Sequence, residues 1–184
     1  MSRILAISGS PSARSRTTLV VKHLAAGLAD AEVDLISVRD LPPEALLHAD
    51  ASHPAIVDVV SRVADADGLI VATPVYKAAY SGLLKALLDL LPQRALAGKV
   101  VLPLATGGTL AHVLAVDYTL RPVLTALGAT HVVPGYFLLD TWITEQNGGV
   151  AVERTAAAAL DGVLATFLDT VAAKASARVP ANAV

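Results

Sequence analysis

Five short apolar runs, separated by stretches of helical spacing, constrain this chain more than any other feature. The runs are Ile4 to Ser8, Glu32 to Val38, Gly68 to Thr73, Lys99 to Ala105 and His131 to Leu139. The second alternates, with Val33, Leu35 and Ser37 on one face and Asp34 and Ile36 on the other. Between the runs, Leu19, Val20, Leu24 and Leu28 repeat at helical spacing within Thr17 to Ala29, and Ile56, Val59, Val60 and Val63 within Ala55 to Ala66. Ser81 to Leu91 and Thr109 to Leu127 are the next two helical segments, and the Ala-rich Val152 to Lys174 is the last. Strands alternating with helices argue an α/β fold, a parallel sheet covered on both faces. Five strands suit a doubly wound sheet of order 2-1-3-4-5. One domain is expected over 1–175, with a loose tail over 176–184. Leu41 to about Pro54 reads as an irregular connection and Thr141 to Gly149 as a polar loop.

Composition narrows the classes of function. Hydrophobic residues make up 54% of the 184 and charged residues 16%, enough for a large core. A net charge of −2 without a basic stripe argues against a nucleic-acid partner. The absence of cysteine removes disulfides, thiolate metal sites and thiol nucleophiles, and agrees with a reducing cytoplasm. The N-terminus enters a strand pattern at once, unlike a signal peptide. No apolar run reaches the roughly 20 residues of a membrane span. The expectation is a cytoplasmic protein with no membrane partner.

Three loops follow the first, third and fourth strands, which are neighbours in the expected order. In open α/β sheets ligands bind outside the carboxyl ends of such strands. The first loop, Ser8-Gly9-Ser10-Pro11-Ser12-Ala13-Arg14-Ser15-Arg16-Thr17-Thr18, collects hydroxyls and two arginines at a helix N-terminus. Unpaired N–H groups and the helix dipole favour an anion there, such as a phosphate. Ser15 or Thr17 could also simply cap the helix, but capping alone does not call for the other hydroxyls and both arginines. The loop is neither a Walker A sequence nor G-x-G-x-x-G, which argues against triphosphate hydrolysis and the usual dinucleotide fold. The second loop, Thr73-Pro74-Val75-Tyr76-Lys77, sets proline, tyrosine and lysine where they can wall a flat ligand. The third, Thr106-Gly107-Gly108, lets backbone N–H groups approach a heterocycle edge. A phosphorylated planar ligand follows, and flavin mononucleotide (FMN) matches it.

Other constellations carry less. His23, His48, His53, His112 and His131 form no pair at metal-ligand spacing, so no metal site is expected. Ser8 and Ser10 flank a glycine without forming a G-x-S-x-G elbow. Trp142 reads as an interface residue or a lid. The helix from Thr109 to Leu127 is apolar nearly all round, which asks for a second buried face and hence an oligomer interface. Pro122 lacks the N–H that would bond the Tyr118 carbonyl, so the helix should kink or widen into a π-bulge beside Tyr118.

These residues resemble the NADPH-dependent FMN reductases of the flavodoxin-like superfamily, and most closely the reductase component of two-component alkanesulfonate monooxygenase systems. The resemblance rests on Gly9-Ser10-Pro11 with Ser15, on Ala66 to Gly82, on Leu87 to Pro92, on Gly98 to Thr109 and on Leu114 to Tyr118. It implies a flavodoxin-like fold and an NAD(P)H:FMN oxidoreductase, NADPH preferred, with hydride transfer to flavin N5. Reduced flavin would pass to a partner monooxygenase, in sulfonate-sulfur assimilation. Ser10, Ser15, Arg16 and Thr17 would hold the FMN phosphate. Ser12 stands where relatives usually carry arginine, so Arg14 or Arg16 would supply the charge. Pro74, Val75, Tyr76 and Lys77 would line the ring, and Thr106, Gly107 and Gly108 its other edge. No acid–base pair is required, and Lys77 is the residue placed to act electrostatically. Tyr118 would lie at the subunit contact of a homodimer or homotetramer. The alternatives are a flavin-bound quinone, azo-dye or metal-ion reductase, or a flavodoxin-like electron carrier.

Overall fold

The structure, a computed structural model, describes residues 1–28, 31–146 and 149–178. Its strands are β1 (Ser2–Ser8), β2 (Ala31–Ser37), β3 (Gly68–Tyr76), β4 (Ala79–Tyr80), β5 (Val100–Gly107), β6 (His131–Val132), β7 (Tyr136–Leu139), β8 (Ile143–Gln146) and β9 (Gly149–Val152). Its α-helices are α1 (Arg16–Gly27), α2 (Pro43–Leu47), α3 (Pro54–Asp65), α4 (Gly82–Leu88), α5 (Arg121–Ala126) and α6 (Arg154–Arg178).

The main sheet runs β2-β1-β3-β5, with β6 and β7 sharing the place beside β5, all in parallel. This is the expected five-strand order once β4, a short antiparallel return on β3, is set aside. Alternate residues of one strand point to opposite faces. Leu5, Ile7, Leu69 and Val71 therefore meet Ile56 and Val59 of α3 and Leu84 and Leu87 of α4 on one side. Ile4, Ala6, Ile70 and Leu102 meet Val20 and Leu24 of α1 and Leu160 and Phe167 of α6 on the other.

Four departures from the sequence reading have local causes. The strand expected to end at Thr73 continues through Tyr76 and turns back through Lys77 and Ala78, at φ +51° and +64°. The fifth strand is split, because Pro134 offers no N–H to the ladder. A Cβ on Gly135 would lie 2.6 Å from the Pro103 carbonyl oxygen, so the backbones touch there. Arg121 Nη1 and Nη2 donate to the freed carbonyls of Val132 and Val133 at 2.8 and 3.2 Å. The connection from Leu41 holds α2, with Pro43 at its start where the missing N–H costs nothing. The expected polar loop at Thr141 to Gly149 holds β8 and the start of β9.

The helix expected over Thr109 to Leu127 breaks into a 3₁₀ turn (Leu110–His112), a π-helical turn (Val116–Leu120) and α5. The widening falls where Pro122 demands it, and the Arg121 N–H reaches back to the Val116 carbonyl. Helix α6 runs to Arg178, past the expected tail start at Ser176, while residues 179–184 lie outside the described residues. By length and composition α6 could cross a bilayer, contrary to the sequence reading. Its stripe of Ala156, Leu160, Leu164, Phe167 and Val171 is buried against the sheet, as in a helix that packs by one face.

Candidate functional site

The three loops converge at the carboxyl ends of β1, β3 and β5. Gly9 fixes the first. Its N–H donates to the Ala72 carbonyl at 2.8 Å, and its carbonyl accepts from the Ser81 hydroxyl. A Cβ on Gly9 would stand 2.5 Å from Leu84 Cβ, so any side chain would drive β1 and α4 apart. Ser15 caps α1, its Oγ accepting from the Thr18 N–H at 3.0 Å. A capping oxygen keeps its own O–H free to donate, so the cap and an anion can share Ser15. The N–H groups of Arg16 and Thr17 open the first turn and find no acceptor among the described residues.

The loops are tied to one another. Thr17 and Thr106 share a buried hydroxyl hydrogen bond of 2.7 Å, linking the start of α1 to the end of β5. Ser8 and Thr18 share another of 2.8 Å. Thr73 Oγ1 accepts from the Ser81 N–H at 2.9 Å and donates to the Pro74 carbonyl at 3.0 Å. Ser81 in turn caps α4 through the Leu84 N–H at 3.1 Å. The Ser81 cap therefore also holds a neighbouring loop, through the Gly9 carbonyl, and the rim of the site is tied together for a structural reason.

An open cleft of about 170 Å³ lies between these loops. Ser10, Ser12, Arg14, Ser15, Arg16 and Thr17 line one end. Pro74, Val75 and Tyr76 with Thr106, Gly107 and Gly108 line the other. Lys77, at the tip of the β3–β4 turn, lies outside this lining, because the turn carries it past the strand end. Asp140, just past the end of β7, lines the cleft and was missed, although the rule that picked the other three strand ends applies to it equally.

The polar inventory separates by burial. Ser10, Ser15, Thr17 and Thr106 are buried. Ser12, Arg14 and Arg16 are exposed, and neither arginine makes an ion pair among the described residues. Tyr76 keeps 48% of its surface in solvent. Beneath the wall, burial pushes the Tyr80 phenol above its usual range; Lys85 opposes this and Asp89 adds to it, so Tyr80 stays neutral at ordinary pH. Hydroxyl donors, free helix N–H groups and two unpaired arginines are chemistry for holding a phosphate dianion. A half-exposed aromatic wall with a glycine edge suits a flat ring.

In the segment that follows β5, Leu110, Val113, Leu114 and Tyr118 are exposed apolar side chains, Tyr118 at 75% exposure. Trp142, in contrast, packs half-buried on the core. Among the described residues no cluster of His, Asp and Glu could hold a metal.

Comparison with known proteins agrees with this chemistry. A family model described as NADPH-dependent FMN reductase matches residues 2–144. The chain is 51% identical over 147 residues to the FMN reductase (NADPH) of Pseudomonas putida, covering 79% of this chain and 75% of that one. It is 47% identical over 167 residues to the FMN reductase (NADPH) of Escherichia coli, covering 90% and 87%. Among solved structures, the apo form of an NADH:FMN oxidoreductase (EMOB) is 48% identical and superposes with a TM-score of 0.82 over 91% of this chain and 88% of that one.

Proposed function

The chain belongs to the NADPH-dependent FMN reductase family and reduces FMN with NAD(P)H, and we propose that the three-loop cleft is where it does so. The observation that carries this reading is the anion-ready end of the cleft: two unpaired arginines and free first-turn N–H groups, joined by the Thr17–Thr106 bond to an aromatic wall. Ser10, Ser12, Ser15 and Thr17 would hold the FMN phosphate with Arg14 and Arg16. Pro74, Val75 and Tyr76 would cover the ring, and the Thr106-Gly107-Gly108 backbone would meet its polar edge.

When bound, FMN supplies the hydride-accepting nitrogen, N5; the chain supplies binding, alignment and electrostatics. Tyr76 and Pro74 fix the plane in which the two rings can stack. Asp140 and the exposed Lys77 flank the site with opposite charges, and Lys77 is the cation nearest in sequence to the ring wall. No side chain is asked to move a proton. Tyr80 stays neutral and acts as packing.

The cleft is open and Ser12 brings no charge of its own to the phosphate loop, which suits a flavin that leaves after reduction. Its acceptor would be a flavin-dependent monooxygenase, in sulfonate-sulfur assimilation. The exposed patch from Leu110 to Tyr118 would be covered by a second copy of the chain, as a homodimer or homotetramer.

The test is NADPH absorbance followed with and without free FMN. Oxidation that depends on added FMN supports the reading. Oxidation indifferent to FMN but driven by a quinone replaces it with a flavin-bound quinone reductase.

A further inference from the structure

Among the described residues that line the ring end of the flavin cleft, one carries a charge: Asp140. The rest are the β3 wall and the Thr106-Gly107-Gly108 turn. Arg14 and Arg16 belong to the phosphate end, and Lys77 lies outside the lining. The fixed charge facing the ring is therefore negative.

Topology puts it there. Strand β7 runs parallel to β5, and Gly107 pairs with Leu139. Neighbouring strands lie about 4.8 Å apart, so Asp140 leaves β7 beside the point where the chain leaves β5 at Gly108. A Cβ on Gly108 would meet nothing within 4 Å, so the space at that turn is open. Asp140 begins a 3₁₀ turn (Asp140–Trp142), and its main-chain carbonyl accepts from the Ile143 N–H. Its side chain is partly buried and makes no ion pair among the described residues. The fold uses the backbone of this residue and leaves its carboxylate without a cation.

The reaction gives that charge a consequence. A hydride carries two electrons and one proton. Its transfer breaks a C–H bond of the nicotinamide and forms N5–H, so the nicotinamide becomes cationic and the flavin ring gains one negative charge. The phosphate is the same before and after, so Arg14 and Arg16 hold both forms alike. A carboxylate beside the ring does not, because a like charge disfavours the charged form. Charge placed near the ring is a lever by which a protein tunes a flavin.

We propose that Asp140 lowers the affinity of the cleft for reduced flavin relative to oxidised flavin, and so favours release of the product after hydride transfer. This rests on the FMN reductase reading above, with the flavin held between the three loops. Asp140 takes no part in the bond changes; it sets which redox state the cleft holds. The ratio of the two affinities and the potential of the bound flavin are one linked quantity, so either measures the effect.

The experiment compares the wild type with Asp140→Asn, which keeps the shape and removes the charge; a thermal melt checks its fold. Oxidised FMN is titrated by calorimetry and reduced FMN likewise without oxygen, and the midpoint potential of the bound flavin is measured separately. The variant should favour reduced over oxidised FMN by at least about tenfold more than the wild type does, a rise of about 30 mV for a two-electron couple. Asp140→Glu, which keeps the charge, should stay close to the wild type. In the wild type itself, added salt should shift the affinity ratio towards reduced FMN by screening the carboxylate, a response that a merely structural role would not produce. A folded Asp140→Asn protein with unmoved ratio and potential overturns the proposal. So does equal loss of affinity for both forms, since Asp140 would then anchor the ring in either state, and so does a wild-type ratio indifferent to salt. The Arg14→Ala, Arg16→Ala variant keeps the two readings apart. If it leaves FMN affinity unchanged, the cleft itself is misassigned; if it weakens FMN while Asp140→Asn changes nothing, only this inference falls.

Discussion

The two ends of the sheet treat their cations in opposite ways. At the amino end of the strands Arg62, Arg3 and Lys99 have work within the fold. Arg62 donates to Asp34 at 2.6 Å and to the Leu35 carbonyl at 3.1 Å, and lies 3.4 Å from Asp58. Arg3 pairs with Glu32 at 3.6 Å, and Lys99 donates to the carbonyls of Ala64 and Ala66 at 2.7 Å each. At the carboxyl end, Arg14, Arg16 and Lys22 stand without an ion pair among the described residues and line clefts. Paired charges hold strands and helices in place. Unpaired charges gathered around a helix N-terminus repel one another, and an anion from outside relieves them. The difference marks which end of the molecule is for folding and which is for binding.

Substitutions can break that division or sharpen it. Gly9 is the position where the two roles coincide. Gly9→Ala should cost about 3 kcal/mol through its clash with Leu84, read as a lower urea midpoint, and should abolish FMN binding with it. A stable Gly9→Ala protein would mean the β1–α4 contact is looser than 2.5 Å implies. Next, Arg14→Ala with Arg16→Ala should weaken FMN binding at least tenfold, about 1.5 to 3 kcal/mol, without lowering the thermal midpoint. Arg62→Ala should do the reverse. About 1 kcal/mol of stability is lost, while the FMN dissociation constant from calorimetry stays put. If both arginine variants moved both quantities, the two ends would not be separable. The smallest effect is expected at the ring wall, where Lys77 and Ala78 hold left-handed backbone. Ala78→Gly should relieve that strain and gain about 0.5 to 1 kcal/mol in denaturant titration.

The sequence carried the sheet because its strands are buried on both faces and stand out as apolar runs between helical periods. Pro122 likewise made the widened turn at Tyr118 legible, since a missing N–H is a local fact. The β3–β4 hairpin was hidden, because its turn uses Lys77-Ala78 where Asn-Gly would have signalled it. The split of the fifth strand was written in Pro134-Gly135, but only the contact with Pro103 gives it meaning. At the site, Ser10 to Thr17 and Thr106 to Gly108 were found because each lies in one loop at one strand end. The Thr17–Thr106 bond spans 89 positions and leaves no trace in either loop alone.

The carboxyl-end cations wait for a phosphate if that group contributes most of the flavin's affinity. Titrating the wild type by calorimetry with FMN and with riboflavin, which lacks only the phosphate, asks this directly. FMN should bind at least about a hundredfold more tightly, two charge-assisted contacts' worth, and the gap should close in the Arg14→Ala, Arg16→Ala variant. Equal affinities for FMN and riboflavin in the wild type would contradict it.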